Sequence, residues 1–220
     1  MTLGKEHEFK TIAFFWRKPV MTRLCMKALD AGIEADYVDG LIRTFNLIPD
    51  ITSAEMENWP YPLKIYTLGR FGLLKDRKPV RFSGKVQQKP LSMLKAIIAF
   101  GGREVSKDQL SDALWPEVAG DVAHLSFKTT LHRLRQLIGK EEIIQLKEGR
   151  ITLDPRYCWV DVWAFQRIAK KAESLWKPGG NRARDDESIQ QFIHFSEQAM
   201  GIYKGDFLPG DSMDMWTVSL

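Results

Sequence analysis

The chain of 220 residues has only two cysteines, Cys25 and Cys158. Their wide separation fits neither a disulfide framework nor a metal site, so two free thiols in a reducing cytoplasm are expected. Long apolar runs are missing too, since nothing approaches the roughly 18 residues that a membrane span needs. No cationic segment leads into an apolar one at the N-terminus, as a secretion signal requires. These absences point to a cytoplasmic protein with no membrane partner. Catalytic signatures are also lacking. His7, His124, His132 and His194 are scattered, and the sequence contains no HExxH, no phosphate-cradling lysine loop and no GxSxG. Asp108 and Asp112 lie one helical turn apart, on a face that a surface helix needs for solvent. "LPGDSMD", residues 208–214, gathers Gly210, Asp211, Ser212 and Asp214 without a base beside them and reads as a turn or helix cap. The expectation is a protein that is not an enzyme and uses no cofactor and no metal.

What is present is an uneven charge. Residues 63–160 carry 18 Lys and Arg against 10 Asp and Glu, a balance of +8, while residues 1–62 and 161–220 are each −2. All the excess positive charge therefore sits in one middle module, as expected for a polyanion partner. The apolar share of 44% is enough to give that module and its flanks packed cores.

Three segments follow from pattern. Residues 1–62 hold two short amphipathic helices within 20–48, broken at Ala31-Gly32. Leu24, Met26, Ala28 and Leu29 are expected on one apolar face, and Val38, Leu41, Ile42 and Phe45 on the next. "PDITSAEMENWPYP", residues 49–62, has three prolines and no period, and reads as a linker. Residues 63–160 begin with a small antiparallel sheet of two or three strands over 63–82, turning at Asp76-Arg77-Lys78-Pro79. A helix over 89–100 follows, with Pro90 in its first turn and Gly101-Gly102 just past its end. The next helix, 106–115, opens with Ser106 and Gln109 in capping-box spacing and stops at Pro116. A third helix runs over 121–138 to Gly139. Two β-prone runs around Lys147-Glu148-Gly149-Arg150 then signal a hairpin, and "YCWVDV" supplies another short strand. Sheet, three helices and hairpin in this order outline a winged helix-turn-helix within an α+β chain. Residues 161–220 contain amphipathic helices at 161–176 and 186–203, expected to pack as an α-hairpin. "FLPGDSMDMWTVSL" reads as the start of another helix. Such hairpins belong to arrays of three or more, so the chain is expected to be a piece of a longer protein.

The third helix of the middle module has a distinctive charge pattern. "LSFKTTLHRLRQLIG", residues 125–139, carries Lys128, His132, Arg133 and Arg135 and no carboxylate. On a wheel, Leu131, Leu134 and Ile138 fall within roughly 40° of Phe127 as a core stripe. Ser126, Thr129 and Arg133 gather on the far side, and Lys128, His132 and Arg135 on the flank. Short hydroxyls and cations without acids can enter a major groove without repelling phosphate. Arg133 is the first candidate for a base contact, because Arg grips guanine bidentately. Lys128, His132 and Arg135 are candidates for phosphate contacts that set register. Lys147 and Arg150, at the hairpin tip, are candidates for a minor-groove or phosphate contact.

At these residues the chain resembles a known family. "LKIYTLGRF", "SKDQLSDALWP", "LHRLRQLIG" and "LDPRYCWVDVWAF" resemble the OmpR-type DNA-binding domain of the Streptomyces antibiotic regulatory protein class. "AMGIYKGDFLPG" looks like the opening of the bacterial transcriptional activator domain, and "WPYPLKIYTLGRF" like the junction in larger, MalT-like regulators. The resemblance, over about 63–215, implies sequence-specific binding to direct-repeat promoter DNA, contact with RNA polymerase and activation of transcription, with a dimer formed on DNA. It carries the family's recognition contacts onto Ser126, Thr129, Thr130, Arg133 and Arg135, and its polymerase-facing loop onto "PEVAGD". This sequence departs from many relatives, which have Arg or Asn near where His124 and Leu125 sit. The rival reading is a protein-interaction module, in which the winged helix is a scaffold and the C-terminal helices dock a partner.

Overall fold

The computed structural model describes residues 5–6, 17–49, 56–82, 88–118, 120–176 and 186–211. The chain is α+β. Its centre is a three-helix unit with a small sheet at each side, and further helices pack before and after it.

Two helices come first, α1 (Lys18–Asp30) and α2 (Ala35–Thr44). Pro19 starts α1, where a missing N–H costs nothing. The buried face of α1 is Met21, Thr22, Cys25, Ala28 and Leu29, which includes the expected Ala28 and Leu29 but is turned away from Leu24 and Met26. Leu24 lies outside and Cys25 inside, because the spacing 21, 25, 28, 29 is the stripe that faces α2 and residues 56–61. The stretch expected to be a linker also differs. Trp59 and Tyr61 are buried in one cluster with Met21, Cys25, Val38, Trp159 and Ala164, so residues 56–62 of that stretch are a strap through a second core, while 50–55 lie outside the described residues.

The first sheet has the order β3-β2-β1-β7, with β1 (Leu63–Tyr66), β2 (Gly72–Lys75), β3 (Lys78–Pro79) and β7 (Cys158–Val160). The expected antiparallel strands β1 to β3 are there, but β7 joins β1 in parallel, pairing Leu63 with Cys158 and Ile65 with Val160. The sheet is therefore mixed, and its closing strand comes about 90 residues later in the chain. Between these strands lie α3 (Gln88–Ala99), α4 (Lys107–Leu114) and α5 (Gly120–Ile138). Ser106 caps α4 as its spacing predicts, its hydroxyl accepting from the N–H groups of Asp108 at 3.2 Å and Gln109 at 3.5 Å. Val105-Ser106 (β4), β5 (Ile144–Lys147) and β6 (Arg150–Leu153) form the second sheet in the order β4-β6-β5. Its hairpin turns on Glu148 and Gly149, both at positive φ (48° and 73°), the two-residue turn whose twist suits paired strands.

α6 (Asp161–Leu175) and α7 (Asp186–Ile202) pack side by side as expected. Trp176 lies 4.9 Å from Phe192 between ring centroids, and Phe165 lies 5.6 Å from Tyr203. The chain then returns to the sheet. Leu208 donates its N–H to the Thr67 carbonyl at 2.8 Å, and Gly69 donates to Asp206. The backbones approach so closely there that a Cβ on Gly69 would fall 2.3 Å from the Lys204 carbonyl oxygen. Only glycine fits that contact. "LPGDSMD" begins in a 3-10 turn at Pro209–Asp211; the helix expected to follow it lies outside the described residues.

Candidate nucleic-acid interface

α5 is held by its inner face. Ala123, Phe127, Thr130, Leu131, Leu134 and Ile138 are buried, and Phe127 and Leu134 are fully enclosed among Leu94, Ile97 and Leu110 of the neighbouring helices. Burial of these side chains fixes the rotation of the helix and so decides which residues look outward. Lys128, Thr129, His132 and Arg133 are exposed, and Ser126 is half-buried. Among the described residues neither Lys128 nor Arg133 is in an ion pair. Their charge is available to an external anion.

Two of the expected contact residues are placed differently. Thr130 is buried on the inner side of α5, so it cannot touch DNA from the outer face. Its wheel position, roughly 60° from Phe127, lies at the margin of the core stripe, and that margin is buried. Arg135 is half-buried. Its Nε and Nη2 donate to the Ile144 carbonyl at 3.3 and 3.0 Å, which ties the last turn of α5 to the first residue of β5.

The wing is anchored at several points. Arg135 grips its first strand. The N–H of Lys107, first residue of α4, donates to the Gly149 carbonyl at 2.9 Å, which holds the turn against α4. At the base Asp154 is buried and accepts from Arg156 Nε at 2.9 Å and from Gln145 Nε2 at 3.0 Å. Burial works to raise the Asp154 carboxyl, but the hydrogen bonds and charge of Arg156 outweigh it and hold the group below its ordinary value. Lys147 and Arg150 pair across the strands on either side of the turn, and both are exposed. Arg150 Nη1 donates to the Glu104 carbonyl at 3.2 Å, so one nitrogen of its fork is already used.

Other outward residues escaped the charge pattern. Gln136 is exposed in line with Thr129 and Arg133, and its amide could both donate to and accept from an adenine edge. The wheel puts it opposite Phe127, so position alone could have found it. Val122 and Leu125 are also exposed. A charge pattern does not select them, because an apolar residue on an amphipathic helix ordinarily faces the core.

No family model matches the sequence, and no curated protein matches it. A solved structure of Mycobacterium tuberculosis EmbR, in complex with a low-affinity phosphopeptide, is similar with a TM-score of 0.54. The match covers 72% of this chain at 20% identity. The fold is a winged helix. At that identity the likeness concerns architecture alone, and the matched part spans 40% of the EmbR chain. The winged helix here carries α1 and α2 ahead of it and α6 and α7 behind it. No helix among the described residues is long and apolar enough to cross a membrane.

Proposed function

We propose that this chain is the DNA-binding part of a transcription regulator, with α5 as the recognition helix in the major groove and the β5–β6 hairpin as the wing. The observation that carries the reading is the outer face of α5, where Lys128, Thr129, His132 and Arg133 are all exposed on a helix whose inner face is fully packed. The fold likeness to EmbR accords with it. Arg133 would read a guanine edge, and Lys128 and His132 would meet phosphates. Arg135 acts as a positioning residue in this reading, since its guanidinium is spent on the wing strand. Lys147 and Arg150 would meet phosphate or the minor groove beside the main site. Ser126 and Thr129 supply hydroxyls to the same face. Activation through RNA polymerase, direct-repeat operators and a dimer formed on DNA belong to the same proposal.

A second reading has its own observation. Ile189, Ile193 and Met200 of α7 are exposed, which suits a protein partner on the C-terminal helices. The two readings differ in their response to salt. DNA binding through phosphate contacts falls along a log–log slope of about −0.9 per phosphate neutralised, so four or more contacts cost over a hundredfold between 50 and 200 mM salt. Titrating a labelled duplex at three salt concentrations measures this. A flat dependence would leave α5 as scaffold and favour the protein-interaction module.

A further inference from the structure

Val122 and Leu125 stand out on α5. They are 56% and 66% exposed, and among the large apolar side chains described only Met200 is more so, at 75%. Neither has a packing role, because the inner stripe of the helix is already complete from Ala123 to Ile138. At 100° per residue Val122, Leu125, Thr129 and Gln136 follow one outward line, with His132 and Arg133 on its two sides. That line runs about 21 Å along the helix. Its C-terminal two-thirds hold hydroxyl, imidazole, guanidinium and amide. Its N-terminal third holds two branched aliphatic groups and no cation before Lys128.

In a helix-turn-helix the N-terminal part of the recognition helix enters the groove deepest and meets base edges. A side chain there without donor, acceptor or charge has one distinctive target, the C5-methyl of thymine. Phosphate is the wrong partner for it, and Asp121 one turn earlier makes it more so. Resting on the DNA-binding reading above, we propose that Leu125, seconded by Val122, is a specificity-determining residue that selects thymine by packing on its methyl group. The site would then read as a polarised half: thymine at the α5 N-terminal end, then a purine edge under Arg133 or Gln136.

The test uses the full 220-residue chain. Duplexes enriched from a random pool give the preferred site. That site is then resynthesised with deoxyuridine in place of each thymine in turn, which removes one methyl and leaves every hydrogen bond intact. Wild type is expected to bind about three- to tenfold more weakly when the critical thymine loses its methyl. Leu125→Ala, exposed and therefore expected to melt like wild type, should tolerate the same change within about twofold. Arg133→Ala, whose contact is elsewhere on the helix, should keep the full methyl sensitivity. An enriched site without thymine, a wild type indifferent to every uracil, or Leu125→Ala as sensitive as wild type would each overturn the proposal while leaving DNA binding in place. If no duplex is enriched at all, the DNA reading beneath it falls as well.

Discussion

At the scale of single residues, the roles on α5 separate by what each side chain can still reach. Among the described residues the Arg133 fork on the outer face has no ion-pair partner, whereas Arg135 donates from two nitrogens to the Ile144 carbonyl. Arg133→Ala is therefore expected to lower discrimination between the selected site and a one-base variant by about 1–3 kcal/mol, and Lys128→Ala to weaken all duplexes alike. Competition binding with both duplexes measures the two effects. If Arg133→Ala keeps full discrimination, another residue reads the base. Asp154 makes a pH prediction. Its folded carboxyl lies below its ordinary value, so its contribution is present above an unfolded value of about 3.9 and is lost as pH falls through the folded one. Asp154→Asn should be less stable than wild type at pH 7, and the difference should shrink below about pH 4. Urea titrations at pH 7 and pH 2.5 check this, and a difference that does not change with pH would show that the charge contributes nothing. The pattern of residues made most of the outer face legible, whereas the family resemblance counted Thr130, which is buried, among the contacts. A residue at the edge of an apolar stripe is buried or exposed according to what packs beside it, which neither a wheel nor a motif contains.

The elements were mostly legible because their ends are chemical. Ser106 and Gln109 marked the start of α4, Glu148-Gly149 marked the wing turn, and Gly139 followed the last turn of α5. What joins the elements was not legible. Asp161, the first residue of α6, is buried and takes four hydrogen-bond donors: the Thr67 and Leu68 N–H groups, the Thr67 hydroxyl and its neighbour Val162 N–H. Burial pushes this carboxyl up, and those donors oppose the rise. The clamp locks the end of β1 to the start of α6 across more than 90 residues of chain. Asp161→Ala would orphan the Thr67 and Leu68 N–H groups and is expected to cost about 3 kcal/mol or more; Asp161→Asn, keeping one oxygen, should cost less. Equilibrium unfolding in urea reads both, and equal costs for the two would deny the acceptor role.

For the whole molecule, two packed regions share their boundary. Leu63, Ile65, Phe127 and Leu134 belong to the winged-helix core, while Cys25, Trp59, Tyr61 and Trp159 form a second core under α1 and α2. Trp159 is the middle residue of β7, with Cys158 and Val160 on the opposite face of the strand, so one strand serves both cores. The two thiols report on them separately. Burial pushes Cys25 up to about 11 and Cys158 up to about 12, because a thiolate in an apolar setting loses its hydration. Neither should react with a thiol reagent at pH 8 until the protein unfolds. Rapid labelling of Cys25 alone in native buffer would mean that α1 and α2 open independently of the winged helix.

The sequence by itself determined the kinds of element, most of their ends and the outer face of α5, since periodicity, capping chemistry and turn residues act over a few positions. Only the tertiary structure decided that β7 lies parallel to β1, that Trp59 and Tyr61 are core and not linker, and that Arg135 holds the wing. Those outcomes depend on which surfaces meet across long stretches of chain. Local pattern shows that a surface must be covered but does not say by what.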